Sequence, residues 1–232
     1  MTSPDPGTRD LLALALDVDD LGRAIALAKR LAPWFGIAKV GLELYSSVGP
    51  PAVEAVRAEG LRVFLDVKLH DIPTTVGAAA RSLGRLGASF VTVHAAGGVE
   101  MLRAAVDGLD DGASVAGHDP PGVLAVTVLT SEIDTAPLDA RVRTASDAGC
   151  TGVVCAATDI ARVKGLAPRL FAVVPGIRLP GGATHDQARV GTPGDAFARG
   201  ADLLVIGRAV TAASDPEDAA SRVHADVAGA RA

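Results

Sequence analysis

The run Leu65-Asp66-Val67-Lys68-Leu69-His70-Asp71-Ile72-Pro73 sets two carboxylates around one ammonium in an otherwise apolar stretch. Residues two apart on a strand project to the same side, so Asp66 and Lys68 are expected together, with Phe64 beside them and Leu65 and Val67 facing away. Flanking aspartates keep a lysine charged and aimed. That argues against a Schiff-base lysine, which needs a neutral amine, and favours Lys68 as a cationic acid able to deliver a proton. The same pair could also be an ion pair that only closes the fold. Lysine usage weighs against that. The chain has 22 Lys and Arg together, and only Lys29, Lys39, Lys68 and Lys164 are lysines. Two of the four, Lys39 and Lys68, fall in strand-like runs, where arginine cannot replace a proton donor. His70 and His94 have no third ligand at metal spacing, so no metal site is expected.

These residues need elements to position them. Short apolar runs recur at intervals on the order of 20–35 residues, the scale of βα units. They are Leu11–Leu16, Ile37–Val40, Val63–Val67, Phe90–His94, Val123–Val128, Gly152–Cys155, Leu170–Val174 and Leu203–Ile206. Helical periodicity lies between them, over Leu21–Leu31, around Val53 and Val56, over Val76–Leu86, Met101–Leu109, Leu138–Ala148, Ile160–Leu166, Gln187–Ala198 and Pro216–Val227. Gly60, Gly87, Gly149, Gly165 and Gly200 supply helix stops. Eight strands alternating with helices predict an α/β fold, a single-domain (β/α)8 TIM barrel over residues 10–232. The alternative, an open doubly wound sheet, lacks a Gly-rich first turn here. Residues 1–9 read as a mobile tail without signal-peptide character. Gly108–Gly122, rich in Gly, Asp and Pro, reads as a long surface loop.

Composition narrows the partners. A net charge of −5 without a basic run argues against a nucleic-acid or anionic-membrane surface, while local charge still allows a small anionic ligand. No apolar run reaches the length of about 20 residues that crosses a bilayer. Two cysteines, Cys150 and Cys155, fit buried thiols in a reducing cytoplasm.

Barrel chemistry sits where strands end. The strand ends offer Asp17, Lys39-Val40-Gly41, Asp66 to Pro73, Val93-His94, Leu129-Thr130-Ser131, Pro175-Gly176-Ile177-Arg178 and Gly207-Arg208. Asp71 lies just before a proline-led helix, where it is either a site residue or a helix cap. Gly207 and Arg208 suit a phosphate, or form an ordinary turn. The loop from Pro175 to Gln187 has the length of a lid, and Gln187 could reach a ligand from it.

The run Leu65 to Val76 resembles the signature of the orotidine 5′-monophosphate decarboxylase family. The Asp-x-Lys-x-x-Asp core is shared with a wider superfamily that includes sugar-phosphate decarboxylases, and the His70-Asp71-Ile72-Pro73 continuation resembles the orotidylate branch. Leu14-Ala15-Leu16-Asp17, Lys39-Val40-Gly41, Val93-His94-Ala95, Leu129-Thr130-Ser131, Pro175 to Arg178, Gln187 and Gly207-Arg208 match in order along almost the whole chain. The resemblance implies cofactor-free decarboxylation of orotidine 5′-monophosphate to uridine 5′-monophosphate, the last step of de novo pyrimidine synthesis. It implies that Lys68 protonates C6 and that Asp66, Asp71 and Lys39 complete a charged array. Asp17 and Lys39 would meet the ribose hydroxyls, and Thr130, with Ser131 as a second candidate, the pyrimidine. Arg178, Gln187, Gly207 and Arg208 would hold the phosphate or close a lid. A homodimer is implied too, with Asp71, Ile72 and Thr75 supplied by the partner. The rival readings are a magnesium-using sugar-phosphate enzyme and a non-catalytic phosphate-binding barrel.

Overall fold

The computed structural model describes residues 5–132, 134–179 and 191–231. Eight parallel strands close into a barrel in sequence order: β1 (Leu12–Leu16), β2 (Ile37–Gly41), β3 (Arg62–Leu69), β4 (Phe90–His94), β5 (Gly122–Val126), β6 (Gly152–Val154), β7 (Phe171–Val174) and β8 (Leu203–Ile206), with β8 pairing back onto β1. Each expected run is a strand, with ends shifted by a few residues. The helices are α1 (Pro6–Arg9), α2 (Leu21–Leu31), α3 (Leu42–Val48), α4 (Pro51–Ala58), α5 (Pro73–Gly84), α6 (Gly98–Ala116), α7 (Leu138–Asp147), α8 (Ile160–Leu166), α9 (Pro193–Ala198), α10 (Arg208–Thr211) and α11 (Pro216–Arg231).

The strands are apolar on both sides because each side meets a different core. One core lies between strands and helices and includes Leu12, Leu14, Leu65, Val91 and Val93. The other fills the barrel with Ala13, Ala15, Ile37, Phe64, Leu124, Val173, Leu203 and Val205. Phe90 bridges Phe64 (edge-on, centroids 6.3 Å apart) and Phe171 (stacked, 5.8 Å). Three of the five phenylalanines thus plug the interior.

Three expectations need correction. Residues 108–116 are not loop but the second half of α6. Their glycines do not break the helix; they let it approach α5. A Cβ on Gly108 would collide with the Gly77 carbonyl, one on Gly112 with the Arg81 carbonyl, and one on Gly84 with the Leu109 carbonyl. The N-terminal segment is anchored from Asp5 onward. The Asp5 carboxylate caps α1 by accepting from Thr8 N–H at 2.8 Å, Pro6 sits in the first turn, and Thr8 is buried. Finally, α9 begins only at Pro193, where Thr192 caps it, while Gln187 and most of the expected lid lie outside the described residues.

Candidate active site

Three strands carry a charged array to the C-terminal rim. β1 runs out into Asp17; Lys39 shares the inward parity of Ile37 on β2, and Asp66 that of Phe64 on β3. Lys39 Nζ donates to Asp17 Oδ1 at 2.8 Å and lies 3.5 Å from Asp66 Oδ2. Lys68 Nζ donates to Asp66 Oδ1 at 2.8 Å. Gly41 leaves the room this needs: a Cβ there would sit 2.7 Å from Asp17 Oδ1 and 2.9 Å from Lys39 Nζ.

Burial and charge pull against each other in this array. Burial would lower the Lys39 pKa, but the carboxylates of Asp66 and Asp17 outweigh it and hold the ammonium above its ordinary value. Burial would raise Asp66, but Lys39 and Lys68, with hydrogen bonds from Lys68 and Thr92, hold it below the usual carboxylate range. Lys39 and Asp66 are therefore both ionised at neutral pH.

Lys68 reaches this place by a route that simple alternation does not describe. β3 pairs Leu65 with Val91 and Leu69 with Val93 on β4, so Asp66, Val67 and Lys68 bulge opposite the single residue Thr92. Lys68 has φ 49°, the one positive φ among the described non-glycine residues. Asp66 and Lys68 do lie together, but through a bulge and a left-handed residue rather than through a regular pleat.

A cavity of about 500 Å³ opens above the array. Asp17, Lys39, Asp66 and Lys68 line one side, and Gly176, Arg178, Gly207, Arg208 and Thr211 another, with Thr130 also at the wall. Arg178 is buried and donates through Nη1 to the Ile177 carbonyl at 2.8 Å. Ser131 is exposed and does not line the cavity. Asp71, Ile72 and Thr75 do not line it either; all three are exposed, Ile72 by 65%. Asp71 does not cap α5: Ile72 is the cap residue, and the Asp71 carboxylate accepts from Ile72 N–H at 2.6 Å. Two lining or supporting threonines escaped the sequence reading. Thr211 follows Arg208 by three residues in the short helix α10. Thr92 was visible as the lone hydroxyl at an inward position of the apolar run Phe90-Val91-Thr92-Val93.

His70 and His94 stack with centroids 5.3 Å apart beside the array. Burial, then the His70 and Arg141 charges, lower the His94 pKa, so His94 stays neutral at neutral pH. Burial pushes the Cys150 thiol up to about 12, which leaves it inert. Among the described residues, no three His, Cys, Asp or Glu side chains gather to hold a metal ion, and no helix is long and apolar enough to cross a membrane.

A closed parallel barrel whose C-terminal rim presents Lys39, Asp66 and Lys68 beside a cavity that Arg178 and Arg208 also line defines a (β/α)8-barrel enzyme. Within that class, the chain belongs to the orotidine 5′-phosphate decarboxylase / HUMPS family, whose model matches residues 10–223. It is 45% identical over 228 residues to an orotidine 5′-phosphate decarboxylase of Paramagnetospirillum magneticum, covering 92% of this chain and 97% of that one. Its identity to the Thermobifida fusca enzyme of the same name is also 45%, over 93% of this chain and 95% of the relative. The crystal structure of the Lactobacillus acidophilus orotidine 5′-phosphate decarboxylase superposes with a TM-score of 0.77 at 33% identity, covering 93% of this chain and 98% of that one.

Proposed function

We propose that this chain decarboxylates orotidine 5′-monophosphate to uridine 5′-monophosphate without a cofactor, with Lys68 as the proton donor. The observation that carries the reading is the ion-paired Lys39–Asp66–Lys68 array at one side of a cavity whose other side holds Arg178, Gly207 and Arg208. The substrate offers matching charge at both ends, a carboxylate on the pyrimidine and a phosphate on the ribose. Loss of carbon dioxide breaks the bond from C6 to the carboxyl carbon and leaves the electron pair on C6. The Lys68 ammonium stabilises that charge and transfers a proton to C6; water then reprotonates the amine. Asp66 cannot take the proton back readily, since two ammonium groups hold it ionised. Asp17 and Lys39 are placed for the ribose hydroxyls, and Thr130 for the pyrimidine; Ser131, exposed and off the cavity wall, is the weaker candidate. Phosphate contacts at Arg178, Gly207 and Arg208, joined by Gln187, supply binding energy for closure remote from C6.

The active form in this proposal is a homodimer, acting in the cytoplasm. Asp71, Ile72 and Thr75 leave their own cavity unlined and stand exposed at the start of α5, as residues that serve a neighbour's cavity would. The deciding assay follows loss of orotidylate absorbance with purified protein and EDTA present. Decarboxylation that survives EDTA is expected. Its absence, or turnover only of a sugar phosphate with magnesium, would overturn the reading.

A further inference from the structure

A buried hydroxyl outside the cavity joins both halves of the Asp66–Lys68 pair. Thr92 is fully buried on β4 and does not line the cavity. Its Oγ1 accepts from the Lys68 backbone N–H at 2.9 Å and lies 2.9 Å from Asp66 Oδ1. The proton positions follow without ambiguity. An N–H can only donate, so Oγ1 accepts from Lys68; an ionised carboxylate can only accept, so the threonine proton points at Asp66.

The backbone explains why this clamp is needed. β3 is irregular where Lys68 sits. Three β3 residues face Thr92 alone, and its hydroxyl accepts the Lys68 N–H inside that bulge. Lys68 is thereby kept at φ 49°, a conformation that a residue with a Cβ leaves when nothing restrains it. A change of φ at Lys68 would re-aim the side chain whose Nζ now donates to Asp66 Oδ1 at 2.8 Å.

We propose that Thr92 is a positioning residue for the reaction, whose hydroxyl locks Lys68 in its left-handed conformation and orients the Asp66 carboxylate against the Lys68 ammonium. This inference rests on the role given to Lys68 and Asp66 above. Thr92 acts through these two residues and touches no substrate.

The test compares Thr92→Val, which keeps the branched shape and removes the hydroxyl, with Thr92→Ser, which keeps the hydroxyl. Thr92→Val should lower kcat about 100-fold, the usual scale for misplacing a catalytic group by about 1 Å, while KM moves less than about threefold. Thr92→Ser should recover most of that loss. The acid limb of the Thr92→Val pH profile should move upward, because Asp66 loses a donor to its ionised form. A kcat within about threefold of wild type for Thr92→Val, or equal damage in both variants, would overturn the proposal. A merely structural threonine would shift melting temperature and leave these ratios alone. The crystal structure of Thr92→Val decides the matter even if wild type does not decarboxylate orotidylate. Lys68 leaving the left-handed region supports the clamp; Lys68 still at positive φ and bonded to Asp66 refutes it.

Discussion

Lysine–aspartate pairs sit at both ends of the barrel, and they are built for different ends. At the far end, Lys164 Nζ meets Asp202 Oδ2 at 2.6 Å and also donates to the Leu170 carbonyl at 2.9 Å. The same carboxylate oxygen accepts from Ala172 N–H at 2.7 Å. Backbone groups thus take up much of that pair's hydrogen bonding, and the pair ties α8 to the starts of β7 and β8. At the rim, Lys68 and Lys39 have carboxylate partners, and their ammonium groups border a cavity. One pair is a latch between elements; the other holds its charge against a space a substrate can enter. Scarcity of lysine therefore does not mark chemistry by itself, since Lys164 is as scarce as Lys68. What a lysine faces does.

The comparison breaks most sharply under substitution. Lys68→Ala should lower decarboxylation by on the order of 10⁴-fold, the upper range for losing a general acid, with its melting temperature near wild type. Lys68→Arg should fail as well, because guanidinium does not give up its proton at neutral pH. Near-normal turnover by either variant would place the proton donor elsewhere.

Mixing variants extends the contrast to Asp71. Lys68→Ala and Asp71→Ala proteins, each inactive alone, should regain about a quarter of wild-type activity after subunit exchange, since half the dimers then carry one intact site of two. No recovery, with exchange verified by mass spectrometry, would return Asp71 to its own protomer.

Lys164→Ala should do the reverse of Lys68→Ala. The Asp202 carboxylate keeps its backbone donor but loses its cation, at a cost of roughly 1–2 kcal/mol after allowing for partial exposure. Urea unfolding would record that loss, and kcat of the folded protein should not change. A catalytic defect without instability would erase the distinction between the two ends.

The smallest effect is a pH dependence. The Lys39 ammonium is held above its ordinary value of 10.5 in the folded chain. Its stabilising contribution is complete below 10.5 and disappears as pH rises through the higher folded value. The difference in urea midpoint between wild type and Lys39→Met should be level at neutral pH and shrink in strong alkali. A difference that stays constant there would mean that Lys39 is not held by charge.

The sequence shows the barrel because its signal is repeated: eight apolar runs, each followed by helical periodicity, are hard to mistake. It misplaces α6 because a glycine carries two opposite meanings. Gly117 stops the helix at φ 71°, whereas Gly108 and Gly112 continue it against α5, and nothing local distinguishes them. It misses α3 because Leu42–Val48 is too short to show a stripe. Asp17, Lys39, Asp66 and Lys68 could be found at strand ends by parity and residue type. The bulge at Lys68 could not, since it depends on the pairing of β3 with β4, a relation between strands rather than a property of either. Thr92 shows in the sequence as a lone inward hydroxyl, but its bond to Lys68 depends on that same pairing.

The glycine seam between α5 and α6 inverts a common rule for raising heat tolerance. Replacing a helix glycine by alanine ordinarily stabilises by roughly 0.5–1 kcal/mol. At Gly84, Gly108 and Gly112 the added methyl would strike backbone of the facing helix, so the helices would have to separate. These two helices also follow, after three residues each, the ends of β3 and β4, the strands that carry Asp66, Lys68 and Thr92, so a substitution far from the cavity would disturb its alignment. Gly165, which the helix α8 runs through rather than stops at, has nothing within 4 Å of where a Cβ would be, and there the ordinary rule applies. An engineer seeking a hardier variant should begin at Gly165 and leave the seam untouched.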